Sequence, residues 1–247
     1  MNQSFYIGAV GAHQQQQSLN VTGNNISNVN THGFKAERSR FADLMYTDVR
    51  KEEGTCKTGT GAAMWTTRTD FRHGTAMMTG GSQDYMIEGS GFFAVIDLDT
   101  SKITFTRNGA FSKAELQRPT GMRDQNGRPV VEKQYYLSDG AGHFVLGTDG
   151  NLIAMDEDTE ALPVGIFDFI NYDGMRHEAE TKFLPIEKNG DIIIGSGRLV
   201  QGALEGSNVD LADEITKVIE SQRAYSMALK MVTTSDEIES TINGLRG

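Results

Sequence analysis

The sequence predicts an α+β protein in which a long helix at each end flanks a central all-β domain. Three observations support this prediction. The first 34 residues contain no Asp, Glu, Lys or Arg, whereas Asn and Gln supply eleven of them. Short apolar runs separated by Asn-Gly and Asp-Gly turns fill the middle of the chain, and a charged stretch with helical periodicity occupies residues 207–247.

Composition narrows the class of function. A chain of 247 residues is long enough for one ordinary core, or for a modest core with extensions. The net charge of −10 argues against nucleic acid as the main partner, because phosphate binding needs a basic face. No apolar run reaches the ~18–20 residues that a membrane helix needs, so membrane insertion is not expected.

The N-terminus and the cysteine content bear on the export route and on disulfide or metal sites. No basic segment followed by a long apolar block begins the chain, so no cleaved secretory signal is predicted. Export would then use a route that does not read such a signal. Cys56 is the single cysteine, which excludes an internal disulfide framework and a Cys-x-x-Cys metal site.

Residues 1–34 form the predicted N-terminal segment, with a helix over residues 1–31. Its larger apolar residues are few, namely Phe5, Ile7, Val10, Leu19, Ile26 and Val29. Each glycine inside it lowers the intrinsic helicity by up to ~1 kcal/mol relative to Ala, so the isolated helix should be marginal in water. Gly33 suits a left-handed cap at the end of the helix.

Residues 35–84 are predicted to connect the first helix to the β domain. Apolar spacing favours a short helix from Ala36 to Arg50, and a β-like stretch follows from Met64 to Phe71. The Gly-Thr repeat around residues 54–61 lacks the Lys and the following helix of a phosphate-binding loop, so we interpret it as a flexible hairpin. The segment has too few large apolar residues for a core of its own, so we expect it to pack against a neighbouring part of the protein.

Residues 85–206 are predicted to form the β domain. Six Asn-Gly or Asp-Gly pairs favour hairpin turns that need positive φ. We expect strands at residues 92–96, 103–106, 130–137, 144–146, 152–155, 164–170 and 191–194.

Residues 207–247 are predicted to form the C-terminal helix. Ser207 and Asp210 resemble a capping box, and acidic residues crowd the first turns, where the helix dipole favours them. An apolar stripe with 3–4 spacing runs from Val209 to Val232, slips in phase near residues 233–236, and resumes with Ile238, Ile242 and Leu245. Unbroken from residue 209 to 243, the helix would span ~50 Å. A small β domain is too short to cover it, so another helix must cover much of this stripe.

Neither an enzyme nor a cofactor or metal site is predicted. The acidic run at residues 155–160 lacks the central Gly and the distal Glu of a calcium loop. The five His residues show no i,i+4 pair. An alternative is a cell-wall-associated protein that binds or cleaves glycan, for which Asp97, Asp99 or Glu115 could supply carboxylates, although nothing singles them out.

Four motifs resemble the axial rod proteins of the bacterial flagellar basal body. They are NNISNVNTHGFK (24–35), EGSGFFAV (88–95), FTRNGAFS (105–112) and GALEGSNVDLADEITKVIESQRAYSMALKMVTTSDEI (202–238). Within this family, the C-terminal block looks most like the distal-rod member, followed by the proximal-rod members. The resemblance implies a structural subunit of a helical homopolymer, whose terminal helices pair as a coiled coil around a central export channel and whose β domains face outward.

The resemblance also implies partners and a location. Such proteins are exported by the flagellar type III export apparatus without a cleaved signal peptide. They contact other flagellar rod and hook proteins and the ring proteins that surround the rod. They lie in the basal body, in the periplasm or cell-wall zone. Their terminal segments order on assembly.

The motifs supply candidate assembly residues. At the N-terminal end these are Asn24, Asn25, Ile26, Ser27, Asn28, Val29, Asn30, Thr31, Gly33 and Phe34. At the C-terminal end they are Ser207, Asn208, Val209, Ile215, Val218, Ile219, Gln222, Arg223, Tyr225, Leu229 and Val232. The β-domain motif contributes Gly91, Phe92, Phe93, Arg107 and Gly109.

The absence of charge from residues 1–34 leads to a physical hypothesis. Inside a polymer, a charged residue would be desolvated and would meet copies of itself, whereas Asn, Gln and small residues satisfy hydrogen bonds without that cost. We therefore expect residues 1–34 to occupy the crowded inner layer of the polymer, with the mixed-charge C-terminal helix setting register through ion pairs.

Overall fold

Two long α-helices bracket a strand-rich middle region, which confirms the predicted α+β class. The computed structural model describes residues 3–48, 57–123, 129–155, 162–179 and 181–246. Helix α1 covers Gln3–Ser27 and helix α2 covers Leu211–Arg246. With 36 residues, α2 is about 54 Å long.

The chain divides into two units. Unit 1 consists of Met1–Val29, Ala36–Asp70 and Val209–Gly247. Unit 2 consists of Asn30–Lys35 and Phe71–Asn208. Both helices therefore belong to unit 1, and the two ends of unit 2 are the short segments that follow the first helix and precede the second.

Unit 1 combines the helices with two small antiparallel sheets. The strands are β1 (Glu37–Asp43), β2 (Tyr46–Asp48), β3 (Lys57–Gly59) and β4 (Ala62–Thr69). Strand β1 pairs with β4, and β2 pairs with β3. The amide of Met64 donates a 2.6 Å hydrogen bond to the Gln14 side chain, so β4 is tied to α1.

The predicted helix from Ala36 to Arg50 is wrong over the described residues, because β1 occupies residues 37–43 and β2 occupies residues 46–48. Residues 49 and 50 lie outside the described part of the chain. The apolar spacing did match a helix, but pairing along the whole of β4 supplies the backbone of β1 with partners that a short local helix could not outweigh. The predicted β-like stretch after it is confirmed as β4.

Unit 2 is built on a seven-stranded antiparallel sheet in the order β13-β14-β8-β7-β11-β10-β9. Its strands are β7 (Phe93–Asp97), β8 (Lys102–Thr106), β9 (Ser112–Arg123), β10 (Pro129–Ser138), β11 (Phe144–Val145), β13 (Arg176–Ala179) and β14 (Lys182–Leu184). Three two-stranded sheets complete the unit. They pair β5 (Ala76–Met78) with β17 (Ala203–Glu205), β6 (Tyr85–Glu88) with β16 (Arg198–Gln201), and β12 (Phe167–Asp168) with β15 (Ile193–Ile194).

The core of unit 2 lies on both faces of this sheet. Phe93 packs in one buried cluster with Tyr85, Val95 and Leu137, whereas its neighbour Phe92 packs in a second cluster with Phe183. Successive residues of a strand point to opposite faces, so the adjacent phenylalanines divide between the two clusters.

Element ends depart from the sequence prediction at two places. Helix α1 ends at Ser27, four residues earlier than predicted, and turns follow it. Helix α2 starts at Leu211, and the Asp210 carboxylate accepts 2.9 Å and 3.4 Å hydrogen bonds from the amides of residues 212 and 213. Asp210, and not Ser207, is therefore the N-cap, because it is the residue directly before the first helical turn.

Most predicted β segments contain a strand, with one exception. Residues 152–155 form only isolated bridges, from Leu152 to Leu146 and from Ala154 to Tyr136. Cys56 and residues 156–160 of the predicted acidic loop lie outside the described residues.

Candidate functional site

The two helices of unit 1 run antiparallel and contact each other along a seam. The hydroxyl groups of Ser4 and Ser235 lie 3.2 Å apart at one end. Near the other end the Asn25 amide donates a 3.1 Å hydrogen bond to the carboxylate of Glu214. Between them Gly8 allows close approach, because a Cβ there would lie 3.0 Å from the Val232 side chain.

Small and polar residues line this seam. The buried residues of α1 are Gly8, Ala12, Ser18, Thr22 and Asn25. Those of α2 are Glu214, Ser221 and Ser235. Because hydrophobic stabilisation scales with the apolar area buried, such a seam specifies how the helices pair while adding little to their stability.

Asn25 anchors one end of the seam. Its amide nitrogen donates to the carbonyl of Glu37 at 2.7 Å and to Glu214, and its side-chain oxygen accepts a 2.9 Å hydrogen bond from the Glu37 amide. Glu214 also pairs with Lys217 at 2.5 Å. The buried Asn25 thus joins α1, β1 and α2, and a buried amide with several partners is suited to fixing helix register.

Most of the large apolar residues of α2 lie away from the seam, in two strips. The first strip is 42–47% exposed and comprises Leu211, Ile215, Ile219 and Leu229. The second strip is 49–82% exposed and comprises Met227, Met231, Ile238, Ile242 and Leu245. At roughly 100° per residue the strips fall on opposite flanks of the seam. Within the chain α1 covers part of the predicted stripe, because Val218, Tyr225 and Val232 are half-buried, whereas Ile215, Ile219 and Leu229 stay exposed. That another helix covers the rest of the stripe stays a prediction.

The predicted C-terminal assembly residues separate into two groups on this basis. Val218, Tyr225 and Val232 are half-buried on the seam side, whereas Ile215, Ile219, Gln222, Arg223 and Leu229 are exposed. The remaining three, Ser207, Asn208 and Val209, precede α2.

The predicted N-terminal residues fall at the end of α1 and on the turns after it. Asn24, Asn25, Ile26 and Ser27 belong to the helix, and Asn28, Val29, Asn30, Thr31, Gly33 and Phe34 follow it. Gly33 and Phe34 are buried within unit 2. The motif therefore spans both units.

Unit 2 contains a buried charge cluster that we name the ion triad, made of Lys35, Arg107 and Glu205. The Lys35 ammonium lies 2.5 Å from one carboxylate oxygen of Glu205, and the Arg107 guanidinium lies 3.1 Å from the other. All three side chains are at most 4% exposed. The three residues come from three of the four motifs, so distant parts of the sequence meet at this point.

Backbone groups satisfy much of the remaining hydrogen-bonding capacity of the triad. Lys35 donates to the carbonyl of Arg72 at 2.8 Å, and Arg107 donates to the carbonyl of Gly89 at 2.8 Å. Burial alone would raise the pKa of Glu205, but the charges of Lys35 and Arg107, with hydrogen bonds from Lys35 and Gly74, hold that pKa below its usual range. The carboxylate is therefore ionised at neutral pH.

Glycines let the backbone close around the triad. Gly33 has φ of +69°, and a Cβ there would lie 2.3 Å from the amide nitrogen of Asn108. A Cβ on Gly109 would lie 1.7 Å from the carbonyl oxygen of Tyr85. Both positions need glycine, the first for its backbone angle and both for space. Gly91, in the same predicted motif, has φ of +123°.

Sequence reasoning identified Arg107 and Gly109 but missed Lys35 and Glu205. Both missed residues stood inside quoted motifs, and Lys35 is the first charged residue of the chain. The position of Lys35 directly after an uncharged segment could have marked it as a candidate, but no local pattern indicated that its partner would be Glu205.

Two of the three carboxylates considered for glycan chemistry, those of Asp97 and Glu115, have other partners. Asp97 accepts hydrogen bonds from the Asp99 amide at 3.0 Å and from the Thr100 hydroxyl at 2.8 Å. Glu115 pairs with Lys133 at 2.9 Å. Among the described residues, no group of three or more His, Cys, Asp or Glu side chains is placed to hold a metal ion. None of the described helices has the length and apolar character to cross a membrane.

Two family models match the chain at its ends. Residues 5–35 match the model described as "Flagella basal body rod protein". Residues 200–245 match the model described as "Flagellar basal body rod FlgEFG protein C-terminal". These ranges contain nearly all of α1 and α2 and two members of the ion triad.

Curated relatives align over nearly the whole chain. The flagellar basal-body rod protein FlgG of Buchnera aphidicola subsp. Schizaphis graminum is 30% identical over 256 residues, which cover 95% of this chain and 96% of that protein. FlgG of Bacillus subtilis is 31% identical over 268 residues, with 96% and 97% covered. FlgF of Caulobacter vibrioides is 28% identical over 249 residues, with 96% and 95% covered. The chain therefore belongs to the flagellar basal-body rod protein family.

Proposed function

We propose that this protein is a structural subunit that polymerises helically into the rod of the bacterial flagellar basal body, where it forms part of the drive shaft and of the export channel. The observation that carries the proposal is the pair of exposed apolar strips on α2. A helix that turns mainly small residues and a few half-buried apolar ones toward its partner within the chain leaves most of its large apolar residues for other copies.

The two strips differ from each other, which bears on the kind of assembly. A closed two-fold dimer uses the same patch on both copies, whereas contact through two different patches adds copies head to tail. The first strip runs from Leu211 to Leu229 and the second from Met227 to Leu245, so they differ in position along α2 as well as in flank. A copy that uses both strips contacts a different neighbour on each flank, and repetition of this contact builds an open helical polymer.

Assembly also accounts for the weak seam between the helices. The helices pair as a coiled coil in this proposal, and the candidate residues of both termini form the interface. Because the α1–α2 seam buries few large apolar side chains, neighbours must supply the missing burial, and the termini order as the polymer grows. Residues 1–34, which carry no charge, then occupy the inner layer.

The proposal divides the chain by role. Residues 1–34 and 207–247 are the assembly helices, residues 35–84 connect the first helix to the β domain, and residues 85–206 form that outward β domain. The partners are further copies, other rod and hook proteins, surrounding ring proteins and the type III export apparatus, which exports the chain without a cleaved signal. Proteins of this family lie in the flagellar basal body. We place this one in the distal part of the rod.

Substitution of the strips tests the proposal. We expect Ile215→Ser with Ile219→Ser, and separately Ile238→Ser with Ile242→Ser, to abolish polymers of the purified full-length chain in sedimentation and electron microscopy. The control is Leu98→Ser with Ile103→Ser, two residues of unit 2 with similar exposure, which should polymerise normally. Normal polymers from both strip variants would overturn the proposal.

A further inference from the structure

The two exposed strips of α2 share a spacing, although they lie at different levels along the helix. Three of the four residues in the first strip have an apolar counterpart in the second strip, sixteen residues further along the chain. The pairs are Leu211 with Met227, Ile215 with Met231, and Leu229 with Leu245. Sixteen residues turn a helix by about 160° and advance it by about 24 Å. The strips are therefore displaced along the helix axis by about this distance, and they face opposite flanks.

A shallow hollow of about 400 Å³ lies on the surface of α2 beside the first strip. Its lining residues are Ile219, Gln222, Arg223, Ser226, Met227 and Lys230. The second strip contains two isoleucines without an apolar counterpart in the first, Ile238 and Ile242. They stand sixteen residues after Gln222 and Ser226, which line the hollow. Packed helices interlock when side chains of one enter hollows of the other, and two α2 helices displaced by sixteen residues bring these isoleucines to the level of the hollow.

Strand β1 lies on the same flank of α2 as the second strip, but at a different level. The groove between them is lined by Arg38 and Phe41 of β1 and by Lys217, Glu220 and Ala224 of α2. These helix residues precede the second strip, which begins at residue 227. A neighbouring helix without displacement would meet β1 on this flank, whereas one displaced by about 24 Å faces the exposed second half of α2. Unit 1 therefore favours the displaced arrangement.

We propose that the first strip of one copy packs against the second strip of the next copy, with the two α2 helices parallel and displaced by about sixteen residues. The proposal rests on the polymerisation proposed above and names the contact that propagates it. Copies in a helical polymer are related by one repeated rotation and rise, so helices along its axis run parallel. At this displacement apolar residues face each other at three levels, and isoleucines meet the hollow at two more.

Disulfide cross-linking between copies tests the displacement. The full-length chain with Cys56→Ser receives Ile215→Cys and Met231→Cys, which lie too far apart within one chain to bridge. We expect oxidation of the polymer to give a ladder of covalent oligomers. The matched control replaces Met231→Cys by Ile242→Cys, a residue with the same exposure of 51%, and should give about tenfold less product, because its level differs by eleven residues.

A second pair of variants guards against loss of assembly caused by one substitution. Leu229→Cys with Leu245→Cys should form the ladder, whereas Leu229→Cys with Ile238→Cys should not. Each variant is oxidised both as sedimented polymer and in concentrated solution, with polymer yield measured before oxidation. The ladder in either sample, for a pair separated by sixteen residues and not for its control, supports the displaced contact.

The outcomes separate this proposal from the polymerisation itself. Polymers without ladders from both pairs would overturn the displacement and leave the proposed function standing, and so would ladders of equal yield in the variants and their controls. Selective ladders in concentrated solution from a chain whose wild type never forms polymers would count against the proposed function alone. Absence of both polymers and ladders would overturn both proposals.

Discussion

The Lys35 ammonium lies 2.5 Å from the Glu205 carboxylate, although the two residues are 170 positions apart in the chain. One belongs to the segment after α1 and the other to the segment before α2, so the pair joins the two ends of unit 2. Arg107 binds the same carboxylate from the β-domain motif. Because a buried charge without its partner is costly, the three residues must come together for unit 2 to close.

Removal of the shared carboxylate should destabilise unit 2 strongly. Glu205→Ala leaves two buried cations without a partner, so we expect the free energy of unfolding to fall by about 3–5 kcal/mol. Urea denaturation monitored by circular dichroism measures this change. Lys102→Ala removes an exposed ion pair with Glu178 and serves as the control, with an expected loss below about 1 kcal/mol. Equal losses in the two variants would contradict the role of the triad.

The triad should also make the free energy of unfolding depend on pH in the acidic range. The pKa of Glu205 is lower in the folded than in the unfolded protein, where it is near 4.5, because Lys35 and Arg107 outweigh burial. The folded state then gains stability above that pH and loses it as the pH falls through the folded pKa. Glu205→Gln should flatten this part of the stability curve below pH 4.5. If the variant loses stability below pH 4.5 as steeply as the wild type, other carboxylates cause that loss of stability.

The closeness of the helices predicts opposite effects at two glycines of α1. A side chain at Gly8 meets Val232 and the backbone of Ala228, whereas one at Gly23 meets nothing within 4 Å. Gly8→Val should therefore separate the helices and reduce polymer yield. Gly23→Ala should preserve the yield and raise helix stability by up to ~1 kcal/mol. Sedimentation measures the polymer yield and circular dichroism measures the helix stability. Loss of polymer from Gly23→Ala but not from Gly8→Val would contradict the conclusion that Gly8 is the position of close helix contact.

The uncharged N-terminal segment gives a further prediction. Gln15 lies half-buried beside the seam, in a groove formed by α1, α2 and β1. Gln15→Glu should weaken assembly, because the new charge would be desolvated among copies of itself. Asn151→Glu adds the same charge at an exposed turn of unit 2 and should have far less effect on polymer yield. Equal yields from the two variants would count against an inner position for residues 1–34.

Local patterns predicted much of the fold. The helical periodicity at both ends, and the alternation of apolar runs with Asn-Gly and Asp-Gly pairs, located α1, α2 and most β segments of unit 2. Four of the glycines in these pairs do adopt positive φ, namely Gly140, Gly150, Gly174 and Gly190. These features depend on neighbours in sequence, so the sequence reports them directly.

The errors came where a distant partner decides the structure. Residues 36–50 have helical apolar spacing, yet residues 37–43 form a strand because β4 pairs with them. The stripe of α2 also did not reveal which of its residues α1 would cover, and α1 covers only part of it, beside small residues that permit close approach of the two backbones. In both cases the local pattern was compatible with two outcomes, and long-range packing selected one.

The sequence by itself determined the class of the fold, the two terminal helices, the turns of the β domain and the motifs that resemble the rod family. Only the tertiary structure decided that Lys35, Arg107 and Glu205 share one buried site, and which face of α2 meets α1. The physical reason is that periodicity and turn preference act over a few residues, whereas the pairing of buried charges and the closeness of two helices depend on groups that only the folded chain brings together.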